Sequence, residues 1–472
     1  MFLPLFLIPA IASCGRALTV EQVPLASDQH PSTINPKPSK TIITSKKDCE
    51  ISVEHVTMSS LPGYQMRVRP SSNLCDPTVK QYSGYLDVSE DKHLFFWFFE
   101  SRKNPEKAPL AAWMNGGSSA LGLLMENGPC NVVFGNSTER NQYGWNEVAN
   151  MFFLDQPAGV GYSYSTSDHV VDTTWEAARD FYAFVQLFLG CFPEYSGRPF
   201  HVLAESYGGQ YAPNFANYIN PRILGVGTNR QWTGVTSRSS SDLSGICLFR
   251  AICVLDNNGP HCKLLRSRVP RLHELFQQCE TFRTELTCVP AAIYAFSAMD
   301  EGFEPVECYD QMRYAQSYLN SSDVKLALGV PPDFNYNWLN ITINSAFFRA
   351  ADVAHDASLM VKELLDDGVR VLNLAGDADF ACNYMGAFEW MYKLDSKYAK
   401  EFRPLNNTVW TLNGKAVGEV RASADESGKT AGNFTWLRIY EAGHMVPTTN
   451  RKYHWNSLED GLRISLWLDE TK

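Results

Sequence analysis

The sequence predicts an α/β fold built on a mainly parallel central sheet, and three observations carry that expectation. Short apolar runs ending in Gly-containing turns recur at residues 109–114, 151–155, 200–204, 369–375 and 435–440. Between the second and third of these, residues 174–189 place Trp175, Ala178, Phe181, Val185 and Phe188 at helical spacing, a core-facing stripe. Strands that alternate with helices make a parallel sheet with helices packed on it. The third observation is bulk: 472 residues with 44% hydrophobic and 19% charged content can bury a large core.

Taken in order, the chain opens with an apolar run at residues 2–12 followed by small residues that suit cleavage after Ala12 or Ala17. Residues 1–17 therefore read as a secretory signal peptide. No later run reaches the roughly 18 apolar residues of a membrane span. Residues 18–75 are polar and rich in Pro, Ser and Lys, and read as an N-terminal arm, a linker or a propeptide. Order is expected to begin at Val79, with residues 79–86 and 93–100 as paired strands opening the sheet. Residues 76–220 make the first part of the core. From Pro221 to Asn320 the pattern dissolves into a Ser-rich stretch and a cysteine cluster, read as a cap insertion stapled by disulfides. Alternation resumes at Ser322, and residues 321–472 make the second part of the core, with an end that is atypical from about residue 448.

The chemistry gathers at three of the strand ends. The run 200–204 turns through Glu205-Ser206-Tyr207-Gly208-Gly209 into a segment suited to a helix, which is the form of a nucleophile elbow. The turn exposes the Ser206 hydroxyl, the glycines let strand and helix approach, and the helix start aims its N–H groups at a developing oxyanion. Ala204 stands where the usual pattern has Gly. An elbow serine needs a base and an acid, in the order Ser, Asp/Glu, His. Residues 369–375 run into Gly376-Asp377-Ala378-Asp379, and residues 435–440 run into Glu441-Ala442-Gly443-His444. Taken singly, x-Ser-x-Gly occurs by chance, Asp379 reads as a solvated turn acid and His444 as a loop histidine. Three matching strand ends in the required order read as Ser206, Asp379 and His444 of a hydrolase.

The net charge of −10 argues against a nucleic-acid partner, because it would not neutralise phosphates. Twelve cysteines, crowded between Cys247 and Cys308, suit an oxidising compartment and show no metal spacing such as paired C-x-x-C. No metal and no cofactor is expected. Sequons stand at Asn136, Asn320, Asn340, Asn406 and Asn433, read as glycosylation sites. The chain reads as secreted, or routed through the secretory pathway to a vacuole.

Asn115-Gly116-Gly117, Glu126-Asn127-Gly128-Pro129, the run from Asp155-Gln156-Pro157 to Gly161-Tyr162-Ser163, Glu205-Ser206-Tyr207-Gly208-Gly209, Gly376-Asp377-Ala378-Asp379 and Gly443-His444-Met445-Val446-Pro447 together resemble the serine carboxypeptidases. The fungal secreted and vacuolar members are most similar, through Gln81-Tyr82-Ser83-Gly84-Tyr85 and Phe96-Trp97-Phe98-Phe99-Glu100-Ser101-Arg102. The resemblance implies an α/β-hydrolase fold that removes single residues from peptide and protein C-termini through an acyl-enzyme, mostly at acidic pH. It implies Ser206 as nucleophile, His444 as base and Asp379 as its orienter. The N–H groups of Gly117 and Tyr207 would form the oxyanion hole. Asn115, Gly116, Glu126 and Glu205 would hold the substrate carboxylate, the two glutamates sharing a proton because both cannot ionise cheaply. Cys382 and Met445 would line substrate pockets; for Cys382, a small buried hydrophobe and a reactive thiol are both open. A family disulfide spacing is kept by Cys279 and Cys288, and Cys262 is expected to pair with Cys247 or Cys253.

Three departures from the family stand out. Gly117 passes directly to Ser118-Ser119, three residues short beside the oxyanion loop. Residues 221–256 lack the family's apolar strand with Ile-Gly-Asn-Gly. Val446-Pro447 leads into Thr448-Thr449-Asn450-Arg451, without the family's Asp-Gln-Pro and closing helix. Competing readings follow: an esterase or acyltransferase on the same core, or a catalytically impaired secreted glycoprotein that binds peptides.

Overall fold

The computed structural model describes residues 40–48, 51–71, 74–88, 91–220, 232–236, 310–379, 382–412, 414–423 and 432–449, with a helix at Pro260–Phe282 and scattered residues from 284 to 294. The expected signal peptide, and Cys247, Cys253 and Cys288, lie outside the described residues. Numbered in chain order, the strands β1 (Lys40–Asp48), β2 (Ile51–Met58), β3 (Tyr64–Pro70), β4 (Gln81–Val88) and β5 (Lys92–Phe99) form an antiparallel wing. β9 (Asn150–Leu154) pairs antiparallel with β5 and opens the centre of the sheet. From β9 the order runs through β6 (Leu110–Met114), β11 (Phe200–Ala204), β12 (Trp232–Thr236), β13 (Arg370–Gly376) and β16 (Phe434–Ile439), with every pair parallel. β15 (Lys415–Ala422) and β14 (Thr408–Leu412) close the far edge antiparallel. A separate hairpin joins β7 (Cys130–Val133) and β8 (Ser137–Arg140), and β10 (Tyr164–Ser165) pairs with β5. The sheet is thus parallel at its centre and mixed as a whole.

The central strands are apolar throughout because both faces are covered: every residue of β6, β9, β11 and β13 is buried. In β5 the two-residue period sorts the aromatics. Phe95, Trp97 and Phe99 belong to one core cluster with Trp113, Leu123 and Trp145, while Phe96 and Phe98 join the other with Phe152, Phe184 and Phe188. The predicted helix is α1 (Thr174–Cys191), which supplies Phe181, Phe184 and Phe188 to that second layer and is capped by the Thr173 side chain accepting from the Glu176 N–H. A second helix, α2 (Gly208–Ile219), follows β11 directly and stacks Phe215 on Phe181.

Several expectations need correction. Order does not begin at Val79: β1 to β3 fall within residues 18–75, and β3 pairs along its length with β4. β3 alternates inward Met66 and Val68 with outward Gln65, Arg67 and Arg69, so a genuine half-buried strand has a polar average composition. The central strand thought to be missing from residues 221–256 is present as β12, parallel to both β11 and β13. Its sequence, Trp-Thr-Gly-Val-Thr, is too short and too polar to stand out as a buried run. Residues 221–320 are not irregular throughout, since Pro260–Phe282 and Asp310–Asn320 are helices. Among the described residues a disulfide that sequence spacing did not single out joins Cys75 to Cys130. Cys279 is also disulfide-bonded. No helix among the described residues is long and apolar enough to cross a membrane.

Candidate active site

The elbow forms where β11 meets α2. Ser206 holds φ at 60°, in the left-handed region that non-glycine residues rarely occupy, and Tyr207 leads straight into α2 at Gly208. A Cβ built on Gly208 would lie 2.7 Å from the Met114 carbonyl oxygen and 2.8 Å from the Ala204 Cβ. Gly208 must therefore lack a side chain, and because it does, Ala204 can carry one.

The second and third strand ends meet backbone to backbone. A Cβ on Gly376 would sit 2.2 Å from the Ala442 carbonyl oxygen. With that space open, the Asp377 N–H donates to the Ile439 carbonyl at 2.9 Å and the Ala378 N–H to that of Ala442 at 2.9 Å. The two locked turns set His444 Nδ1 3.0 Å from Asp379 Oδ2 and 3.2 Å from Oδ1. Asp379 is buried and also accepts from the Cys382 N–H at 3.0 Å. Burial pulls the His444 imidazole down, but the Cys382 sulfur beside it and the Asp379 carboxylate outweigh that and hold it well above its ordinary value. Asp379, Cys382 and His444 offer ligand atoms within 4.8 Å of one another, the kind of cluster that could hold a metal, yet Asp379 and His444 are already engaged with each other.

The carboxyl cluster stands at the other side of the elbow. Asn115 Nδ2 donates to Glu126 Oε1 at 3.0 Å and to Glu205 Oε1 at 3.1 Å. Its Oδ1 accepts from Trp113 Nε1 at 2.8 Å and from the Gly122 N–H at 3.0 Å, which fixes the amide so that its NH₂ faces the carboxyls. Both glutamates are buried. Burial first, then the charge of Glu126 and a hydrogen bond to it, hold the Glu205 carboxyl well above the usual range. Glu126 ends a π-turn, Gly122–Glu126, a local widening common at functional sites. Its backbone is tied down by Asn141 Nδ2, which donates to the Glu126 and Gly128 carbonyls, and by Arg102, which donates to the Pro129 carbonyl.

The glycine loop lies against the elbow: a Cβ on Gly116 would stand 2.7 Å from the Tyr207 nitrogen. Gly117 faces the Trp338 carbonyl, which accepts from the Ser118 N–H at 3.2 Å. The structure thus brings Asn115, Gly116, Glu126, Glu205 and Tyr207 together, and pairs Asp379 with His444. Met445 is buried in the apolar cluster with Leu124 and Met125. Of the sequons, Asn136 and Asn406 are exposed, and Asn433 is partly so. The Asn320 amide donates to the Gln316 and Tyr336 carbonyls, and that of Asn340 donates to the Gly159 carbonyl while its oxygen caps a helix, so these two serve the fold.

Sequence reasoning missed Trp113 and Asp352. Trp113 sits two residues before Asn115 on the same strand face, and that spacing could have flagged it. Asp352 accepts from the Tyr207 hydroxyl at 2.6 Å from 145 residues away, and no local signal announces such a contact.

The family model described as serine carboxypeptidase matches residues 70–224 and 235–462. A carboxypeptidase Y homolog A of Phaeosphaeria nodorum is 36% identical over 396 residues, covering 78% of this chain and 70% of that protein. Carboxypeptidase Y of Candida albicans is 35% identical, covering 83% of this chain and 75% of its own length. The fold is similar to that of a prohormone-processing carboxypeptidase of Saccharomyces cerevisiae, with a TM-score of 0.68 at 19% identity, covering 84% of this chain and 92% of the other.

Proposed function

We propose, for a chain that belongs to the serine carboxypeptidase family, that Ser206, His444 and Asp379 perform its chemistry and that Asn115, Glu126 and Glu205 select the free C-terminus. The protein is a serine-type carboxypeptidase. The esterase and peptide-binding readings are not favoured.

On this reading Ser206 Oγ attacks the last peptide carbonyl while His444 takes its proton, and Asp379 on Nδ1 keeps the other nitrogen turned to the serine. The oxyanion is met by the N–H groups of Gly117 and Tyr207. His444 then gives the proton to the departing amine, the free amino acid leaves, and water repeats the sequence on the acyl-enzyme. The leaving residue's carboxylate lies on Asn115 and the half-protonated Glu126–Glu205 pair. The observation that carries the reading is the Asn115 amide shared by two buried carboxyls, beside an elbow serine. An endopeptidase or esterase has no use for such a pair.

Routing through the secretory pathway is supported by the Cys75–Cys130 bond and the exposed sequons at Asn136 and Asn406. The cap is proposed to begin after β12. The test of the site is release of C-terminal amino acids from a blocked dipeptide, with its C-terminal amide as control. Wild type should act on the free acid alone, and Ser206→Ala should lose activity by about 10⁴-fold or more. A Ser206→Ala enzyme as fast as wild type would end the proposal.

A further inference from the structure

Behind the glycine loop lies a carboxylate to which the proposed chemistry gives no role. Asp155 follows β9 and is buried. Its Oδ1 accepts from the Ser118 hydroxyl at 2.7 Å and from the Ser119 N–H at 3.0 Å, and its Oδ2 accepts from the Tyr162 N–H at 3.0 Å. The Ser118 oxygen lies 2.5 Å from the Tyr336 hydroxyl. Since Ser118 has one proton and gives it to Asp155, Tyr336 must donate to Ser118, and the chain runs Tyr336 to Ser118 to Asp155. Gly161 makes room for the carboxylate: a Cβ there would fall 2.1 Å from Asp155 Oδ2.

Ser118 and Ser119 are the residues that follow Gly117. Both are buried, and the loop borders, at Ser119, a small cavity lined by Phe95, Trp97, Ala120, Leu123, Phe153 and Leu319. Hydrogen bonds hold the loop at this height: those to Asp155, one from the Ser118 N–H to the Trp338 carbonyl, and one from the Ser119 hydroxyl to the Leu154 carbonyl. Gly116 is packed on Tyr207 and Gly117 on the Trp338 carbonyl, and beyond them Ser118 and Ser119 take their register from this buried acceptor.

We propose that Asp155 is a positioning residue for the oxyanion side of the site, holding Gly117 through Ser118 and Ser119 at the height where its N–H meets the tetrahedral intermediate. The proposal rests on the reading that Gly117 supplies an oxyanion donor. Asp155 touches neither substrate nor Ser206 in this scheme, so its loss should act on the transition state and spare ground-state binding.

The test is Asp155→Asn with the blocked dipeptide at pH 7. The amide has one donor end, and whichever way it turns, that end faces an N–H or O–H that needs an acceptor. We expect kcat to fall about 10- to 100-fold with KM kept within about threefold. Affinity for a peptide aldehyde, which forms an oxyanion on the nucleophile, should fall in step with kcat. A merely structural role would lower the melting temperature and the yield of active enzyme without that aldehyde loss. If Asp155→Asn does not fold, Ser118→Ala removes only the central hydroxyl of the chain and should still lower kcat about tenfold at constant KM. A folded Asp155→Asn or Ser118→Ala enzyme with wild-type kcat, or with its loss confined to KM, overturns the proposal. Ser206→Ala separates the levels: if it abolishes turnover while these variants do not, only the role of Asp155 falls.

Discussion

Replacing Glu126 by Gln tests the carboxylate site most directly, because the geometry says which charge state the substitution freezes. In wild type the two buried glutamates face one Asn115 amide, and Glu205 is held high by burial and by Glu126. The pair titrates as a unit, and its singly protonated form has net charge −1 with one hydrogen to offer a carboxylate. Raising the pH through the upper step of the pair removes that hydrogen and adds a like charge. Losing a hydrogen bond to a charged group costs about 1.5–3 kcal/mol, a rise in KM of roughly 10- to 150-fold, before repulsion is added. In Glu126→Gln the Glu205 carboxyl, still held high by burial, ionises in a single step. Once ionised beside the new amide it has the same net charge of −1, the amide still donates an N–H, and no second step follows as pH rises.

The expected result is a split between the two kinetic parameters. Wild-type KM should climb tenfold per pH unit above the pair's upper step, while that of Glu126→Gln stays flat. Turnover has the opposite limb, since His444 must be neutral to act as base. The shift of His444 in the free enzyme is upward, so the acid limb of kcat/KM should stand above the pH set by an ordinary imidazole in both enzymes, higher than the acidic range that the family resemblance implies. Wild type should therefore give a bell-shaped kcat/KM, and Glu126→Gln a rise that levels off without an alkaline fall. Steady-state rates on the blocked dipeptide from acidic to mildly alkaline pH read both limbs. A Glu126→Gln enzyme whose KM overlays wild type at every pH would refute the shared-proton argument and remove Glu126 from the site.

Two further expectations concern stability. His201, buried in β11, is pushed down to about 3 by burial and by Arg370. It is neutral in the fold, whereas the unfolded chain takes up a proton below its ordinary value, so its contribution is complete above about pH 6.5 and falls away as pH drops toward the folded value. His201→Leu should flatten the fall in melting temperature on acidification, by up to about 1.4 kcal/mol per pH unit in this window. Parallel curves for the two proteins would refute the assignment. Arg102, nearly inaccessible, binds Asp76 at 2.7 Å, Glu147 at 2.9 Å and the Asn141 and Pro129 carbonyls at 2.8 Å. Arg102→Met strands buried acids and should cost about 3–5 kcal/mol in chemical denaturation. It should also raise KM by loosening the segment that bears Glu126, and unchanged stability would show that the network carries little.

What is legible of the candidate site in the sequence is whatever is encoded locally. Ser206, Asp379 and His444 each stand in the turn after an apolar strand, and such a turn is visible from its own few residues. The glycines that make the turns possible, Gly208 and Gly376, are visible the same way, although the atoms they make room for are not. Contacts between distant segments were hidden: Asp352 on the Tyr207 hydroxyl, Tyr336 on Ser118, and Cys75 with Cys130 have no signature in either partner's neighbourhood. The fold was legible where apolar residues run together and illegible where burial is one-sided or the strand is brief. That is why β3 and β12 were lost and β5, β6 and β9 were not.

The glycine loop is three residues short of the family pattern, and Asn115, Glu126 and Glu205 nevertheless come together around it. Coming three residues early to its helix, the chain meets Ser118 and Ser119 at Asp155, and the Leu123 N–H closes on the Ser119 carbonyl at 3.0 Å. An ordinary helical turn from there would set the phase of every later side chain. Instead Gly122–Glu126 takes the wider turn, with the Asn127 and Gly128 N–H groups both donating to the Gly122 carbonyl at 3.0 Å. Gly122 allows this, since a Cβ there would strike Trp113 Nε1 at 1.9 Å, the same nitrogen that orients Asn115. The wide turn holds one more residue than an α-turn and so re-aims the side chain at its end. Glu126 comes round to Asn115, and the altered C-terminal segment helps to keep it there, as the Thr448 hydroxyl donates to the Met125 carbonyl at 3.0 Å. Two departures that read separately as losses thus meet at one carboxylate, and the third is repaired by β12. Asn115, Glu126 and Glu205 stand in hydrogen-bond register beyond the shortened loop, as the proposed carboxylate site requires.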